Sequence, residues 1–311
     1  MNAKENYLEA IRFGRPEYVP LGNEPIWYGF QFEGNFRLEN WTDLWGVRWE
    51  VGLADTVPFP RGHPLPSLDR LEDYRFPQPG ELGFTEAMRA GLAAVNRDEQ
   101  LVCGHLTYLL FERAWAIMGM ENFLLALLTH PQEAKAFLHG IAHFARGVFD
   151  RYLELGVDAI SFSEDLGSQR ALMISPTLFR EFLLPEYLYC FENVLRAGKI
   201  IHFHSCGCID AIAGDLAAIG VTVLNPIQHR ANSLARVKAE TQGRMALHGG
   251  IDTAVLAHGT PADVRREVET VMAVLKPGGG YVCAPDQSIP GIPPENMAML
   301  WQTAQALGRY E

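Results

Sequence analysis

The chain lacks any long apolar run. Its densest cluster, Phe123 to Leu128, falls far short of the roughly 20 apolar residues that a membrane helix needs. The opening Met1-Asn2-Ala3-Lys4-Glu5 is charged where a secretory leader would be apolar. Basic clusters are also missing. Lys and Arg number 26 against 37 Asp and Glu, a formal charge of −11, which disfavours nucleic acid and anionic membranes as partners and favours neutral or weakly charged substrates. Cysteine is scarce and odd in number, five in 311 residues, so a reducing, cytoplasmic compartment is expected rather than a disulfide framework. No internal repeat, low-complexity tract or linker divides the chain, and a single domain over 1–311 is expected.

What is present is an alternation of short β-rich runs with longer helical stretches. The predicted strands are Val19 to Glu24, Leu101 to Leu106, Ala159 to Glu164, Ile200 to His204, Thr222 to Pro226, Met245 to Gly249 and Tyr281 to Ala284. Between them, Glu81 to Val95, Pro131 to Gly156, Pro176 to Ala197, Ile209 to Ile219, Ser233 to Gln242, Pro261 to Leu275 and Pro294 to Leu307 carry helical spacing, several opened by proline and closed by glycine. Repeated strand-then-helix order predicts an α/β fold with a parallel sheet. A (β/α)8 TIM barrel is the best reading and an open doubly wound sheet the alternative. The barrel is favoured because polar residues follow nearly every strand, and in a barrel those ends converge on one face. The segment 26–79, rich in Trp, Phe, Gly and Pro, breaks the pattern and is expected to form an insertion covering the mouth.

The chemistry-bearing stretch is Ile200 to Cys208, IIHFHSCGC. Side chains alternate along a strand, so His204 and Cys206 point the same way where the strand stops. Cys283 ends a later strand, before an irregular segment from Ala284 to Pro294. Two donors from one strand end and a thiolate from another would make three-point zinc coordination with a vacancy, the catalytic pattern rather than the closed structural one. His202, ~7 Å deeper on the same face, reads as a barrel-interior histidine, and Cys208 as a small buried residue. Of Glu164 and Asp165, adjacent residues with opposite faces, one can point into the mouth as a proton donor or a further ligand, while the other caps a helix or forms a salt bridge. Asn23, Trp27, His105, Asn225, Gln228, His248 and Asp252 are candidate substrate or orienting contacts.

These residues also carry a resemblance. The run from HFHSCGCID through LNPIQ, HGGID, GTPADV and LKPGGGYVCAP to PPENM is similar to the uroporphyrinogen decarboxylase superfamily, in its zinc-dependent, corrinoid-linked methyltransferase branch. FGRPEYVP, the Asp43-Leu44-Trp45-Gly46 turn, SEDLG and MISPTLFREFLLP extend the likeness over nearly the whole chain. It implies a TIM barrel, zinc held by His204, Cys206 and Cys283, and a corrinoid (cobalamin) carried by a partner protein. The decarboxylase's arginine-rich motif has no counterpart, since Asn23-Glu24-Pro25-Ile26-Trp27 stands there. The expected activity is transfer of a methyl group from a small methoxylated or methylated molecule to the Co(I) corrinoid. The alternative is delivery from a methylcorrinoid protein to a thiol or tetrahydrofolate; porphyrinogen decarboxylation and a non-catalytic zinc barrel rank lower. A second copy of the chain is a further candidate partner.

Overall fold

The computed structural model describes residues 1–53, 56–287 and 291–310. The strands are β1 (Trp27–Phe30), β2 (Trp41–Thr42), β3 (Arg48–Glu50), β4 (Phe59–Gly62), β5 (Leu101–Leu106), β6 (Ala159–Ser163), β7 (Ile200–His204), β8 (Val223–Ile227), β9 (Ala246–Ile251) and β10 (Tyr281–Pro285). β1 and β5 to β10 form one parallel sheet in the order β1-β5-β6-β7-β8-β9-β10, while β2, β3 and β4 form a separate antiparallel meander. Helices connect the parallel strands, as parallel pairing requires. Among the described residues no helix is long and apolar enough to cross a membrane.

The curled sheet closes on itself through the residues before β1. Leu21 makes a parallel bridge with Cys283 on β10; the Gly22 amide donates to the Cys283 carbonyl and the Cys283 amide to the Pro20 carbonyl, each at 2.9 Å. This completes a (β/α)8 barrel. The predicted strand from Val19 to Glu24 is thereby shortened to that bridge, and the strand paired with β5 is β1, which the sequence reading assigned to the insertion. Glu24 explains the difference: its carboxylate accepts the Tyr18 hydroxyl (2.6 Å) and the Leu21 amide (3.2 Å), turning the chain before β1 starts.

The barrel floor is apolar. Tyr7 and Ile11 of the helix Ala3–Ile11 pack against Ile26, Leu101, Ala159, Ile200, Val223, Ala246 and Val282, each large side chain contributing about 1.5–3 kcal/mol by burial. Several predicted helices form, Pro261–Leu275 at its expected bounds and Pro131–Glu154 and Pro294–Gly308 with shifted ends. The stretch from Pro176 contains a π-helical turn over Phe179–Leu183 before Leu184–Arg196. Pro185 supplies no amide hydrogen and would crowd the Glu181 carbonyl in a regular helix.

The β2–β4 meander docks at one side of the mouth, on the loop after β5. Asp43 anchors it, accepting the Trp45 and Val47 amides, Trp49 Nε1 (2.9 Å) and Arg113 Nη1 (2.6 Å). Trp49 stacks on Tyr108 at 5.0 Å.

Candidate metal and substrate site

Alternation along β7 puts His202 and His204 on the barrel interior, while Ile201 and Phe203 pack beneath the helices. The chain leaves the strand under tight restraint. The Ser205 amide donates to the Asn225 carbonyl at 2.8 Å, Ser205 Oγ accepts the Leu166 amide at 3.1 Å, and the Cys206 amide donates to Asp165 Oδ1 at 2.8 Å. Gly207, with φ +82°, lies against Gly167. A Cβ on Gly207 would stand 2.2 Å from the Gly167 carbonyl oxygen, and one on Gly167 would stand 2.6 Å from the Cys208 amide nitrogen. Only glycine allows the loops after β6 and β7 to approach this closely. Gln228 Oε1 then accepts the Gly207 amide at 2.6 Å.

One oxygen, one nitrogen and one sulfur converge as a result. Ligand atoms of Asp165, His204 and Cys206 all lie within 4.8 Å of one another. His204 Nε2 is 3.5 Å from Cys206 Sγ and 3.7 Å from Asp165 Oδ1, and His204 Nδ1 meets Asn225 Oδ1 at 3.1 Å. With that oxygen as acceptor, Nδ1 carries the hydrogen and the Nε2 lone pair turns toward the other two donors, the orientation that a metal-binding histidine needs. The side chains of His204 and Asp165 are each 37% exposed, so the cluster is reachable from the mouth. Burial first, and then the Asp165 charge, push the Cys206 thiol up to about 12. A carboxylate and a thiol are thus held together, and none of the contacts named brings a Lys or Arg to them. The donor set fits one divalent ion with a side left open. Gln287 Nε2 approaches Cys206 Sγ at 3.7 Å.

Cys283 does not join this cluster, which corrects the expected ligand set. Val282 packs into the barrel floor, so Cys283 and Tyr281 turn to the opposite face of β10, beneath the helices, where Cys283 is fully buried. Strand-end position was legible in the sequence; which face Cys283 takes depends on the barrel's register, where it pairs with Gly249.

The carboxylate pair separates in the same way. Asp165 turns to His204 and Cys206, while Glu164 turns away beneath the helix Phe111–Met118. There Glu164 accepts the amides of Leu110 (3.0 Å), Phe111 (2.6 Å) and Glu112 (3.4 Å) and the Tyr187 hydroxyl (2.5 Å). Burial raises its pKa to about 7 against the pull of those hydrogen bonds. A catalytic role for Glu164 is therefore replaced by a capping one.

The remaining candidates scatter by depth. Trp27, His105 and His248 face the barrel interior below the cluster: His105 Nδ1 meets Ser161 Oγ at 2.9 Å, Trp27 and His248 each set a ring edge-to-face with His202, and His248 Nδ1 is buried without a partner. Asn225 and Gln228 hold His204 and Gly207 as described. Asp252 caps the helix Thr253–His258 through the Ala254 amide and pairs with Arg230 at 2.5 Å, on the rim. Asn23 is not brought to the site; it is exposed and lines an outer cavity with Tyr18, Glu24, Gln305 and Arg309. Of the expected irregular segment from Ala284 to Pro294, residues 288–290 lie outside the described residues.

Two residues near the site went unread in the sequence. Glu112 is buried, with Oε2 unpartnered; burial, then the charges of Asp165 and Glu164, raise its carboxyl well above the usual range. Tyr108 holds φ +62°, uncommon for a bulky side chain. Glu112 sits on Phe111–Met118, a helix the periodicity did not single out, and no local signal marks Tyr108.

The fold and site define a parallel (β/α)8 barrel with an oxygen, nitrogen and sulfur donor triad at the C-terminal ends of its strands. The chain belongs to the uroporphyrinogen decarboxylase (URO-D) family, whose profile matches residues 54–307. Among solved structures it is similar to a methyltransferase from Methanosarcina mazei, 17% identical, with a TM-score of 0.76 over 98% of this chain and 99% of that one. It also matches a B12-independent methionine synthase from Shewanella sp. W3-18-1, 10% identical, with a TM-score of 0.46 over 67% of this chain and 62% of that one. No curated protein sequence matches the chain significantly.

Proposed function

We propose that this protein is a zinc-dependent methyltransferase that moves a methyl group from a small methoxylated or methylated molecule to the Co(I) corrinoid of a partner protein, with the ion held by Asp165, His204 and Cys206. The observation that carries this reading is the convergence of those three donors, with an open side, on the barrel face where such folds do their chemistry. The family and the Methanosarcina mazei methyltransferase fold support it.

Bound zinc would act as a Lewis acid on the substrate heteroatom, stabilising its negative charge as the methyl group departs. The chain's own residues do the rest. Asn225 fixes the His204 tautomer, and Gln228 and the Gly167–Gly207 contact hold Cys206 in place. Decarboxylation of a porphyrinogen is disfavoured on charge. A polycarboxylate needs a cluster of cations at the mouth, and there Arg113 is bound to Asp43 and Arg230 to Asp252.

The test is direct. Zinc-loaded protein, mixed with reduced corrinoid protein and a panel of methyl ethers, methylamines and methanol, should give the absorbance of methyl-cobalt with at least one donor, and Cys206→Ala should abolish it. Starting instead from methylated corrinoid protein with a thiol or tetrahydrofolate reads the reverse direction. No methyl exchange either way ends the proposal.

A further inference from the structure

TIM barrels are ordinarily filled by side chains along their axis; above the floor of this one, inward-facing side chains of five strands keep accessible surface. On β5, β6, β7, β8 and β9 the burial pattern alternates so that outward-facing residues are fully buried under the helices, while inward-facing ones, His105, Ser161, His202 and His248 among them, keep accessible surface. On β1, Tyr28 turns outward to Gly91, which puts Gly29 inward; it is exposed, and a Cβ built there meets nothing within 4 Å. A well therefore runs from the donor triad down to the apolar floor.

Its walls carry no fixed charge. Trp27, Gly29, Ser161 and three imidazoles line it, and burial lowers the His248 pKa to about 4, leaving that ring neutral. Ser161 Oγ, on His105 Nδ1 at 2.9 Å, gives this wall a hydroxyl that can still bond a neutral oxygen.

We propose that this well binds the methyl-bearing substrate and selects an uncharged, oxygen-bearing molecule, a methyl ether or alcohol rather than a carboxylate or quaternary ammonium. The proposal rests on the methyltransferase reading and narrows it to a substrate class. The molecule's hydroxyl or ether oxygens meet Ser161 and the accessible edges of the imidazoles while its methyl-bearing atom lies at the triad, two residues above His202 on β7.

Zinc-loaded protein is titrated calorimetrically with 2-methoxyphenol, methyl β-glucoside, 4-hydroxy-3-methoxybenzoate and betaine. At least one neutral probe should bind ten-fold or more tighter than both charged ones. Gly29→Leu, which fills the well without touching the triad, should weaken that binding at least ten-fold and leave zinc content unchanged. The inference is overturned if the carboxylate or the ammonium binds as well as the neutral probes, if no neutral probe binds at millimolar concentration, or if Gly29→Leu binds like the parent. The two readings fail separately. Neutral-probe binding lost in Gly29→Leu, with no methyl-cobalt ever formed, upholds the well and sinks the methyltransferase; methyl-cobalt formation undiminished in Gly29→Leu does the reverse.

Discussion

At the scale of single residues, the donor triad makes three claims that metal analysis can separate. Cys206→Ala and Asp165→Asn each remove one donor atom, and zinc measured after dialysis should fall from about one ion per chain to a small fraction of that. Cys283→Ala should keep its zinc, because that thiol faces the helices; its cost is a small cavity, of order 1 kcal/mol in urea unfolding. Asn225→Ala leaves all three donors but frees the His204 ring, and zinc affinity in a chelator competition should drop about 10–100-fold. Gly207→Ala acts without touching a donor. Its new methyl group meets the Gly167 carbonyl, so the two loops must part, and both zinc content and melting temperature should fall.

At the scale of elements, the barrel's supports are polar groups taken out of water. Lys238, on the helix Leu234–Thr241, is buried with its ammonium on the Gly279 carbonyl, and burial lowers its pKa from 10.5 to about 8. The unfolded chain holds that proton up to about 10.5 and the folded chain releases it near 8, so this site adds stability as pH rises between those values and costs stability below them. In urea unfolding at pH 7 and pH 10, Lys238→Met should show less of this rise than the parent, by up to about 3 kcal/mol. The meander β2–β4 hangs on another such group. Arg113 and Asp43 are 3% and 1% exposed at their side chains, and Trp45, Trp49 and Tyr108 surround the guanidinium. Arg113→Met strands a buried carboxylate, which costs about 3–5 kcal/mol where a buried pair is broken. Limited proteolysis should then cut within 41–62 before the barrel unfolds.

At the scale of the whole molecule, closure of the sheet is what brings strand ends together as a site. The strand-then-helix rhythm made the barrel legible because parallel strands need crossovers, and helical crossovers write a 3.6-residue period into the chain. The His204 and Cys206 pair was legible for a similar reason: a period of two within one strand and the residues just past it requires no knowledge of any other element. Cys283 was misread because its face on β10 depends on the register against β9 and on which residues fill the floor, relations between segments far apart in sequence. Asp165 and Glu164 were readable as a pair with opposite faces, but not which faced where, since that choice is made by the amides of a helix more than 50 residues away. By itself, the sequence determined the architecture and the strand end where His204 and Cys206 come together, both properties of local period and composition. Tertiary structure alone decided the third donor of the cluster and the cap that removes Glu164 from the mouth, because each arises where side chains from separate elements share one volume.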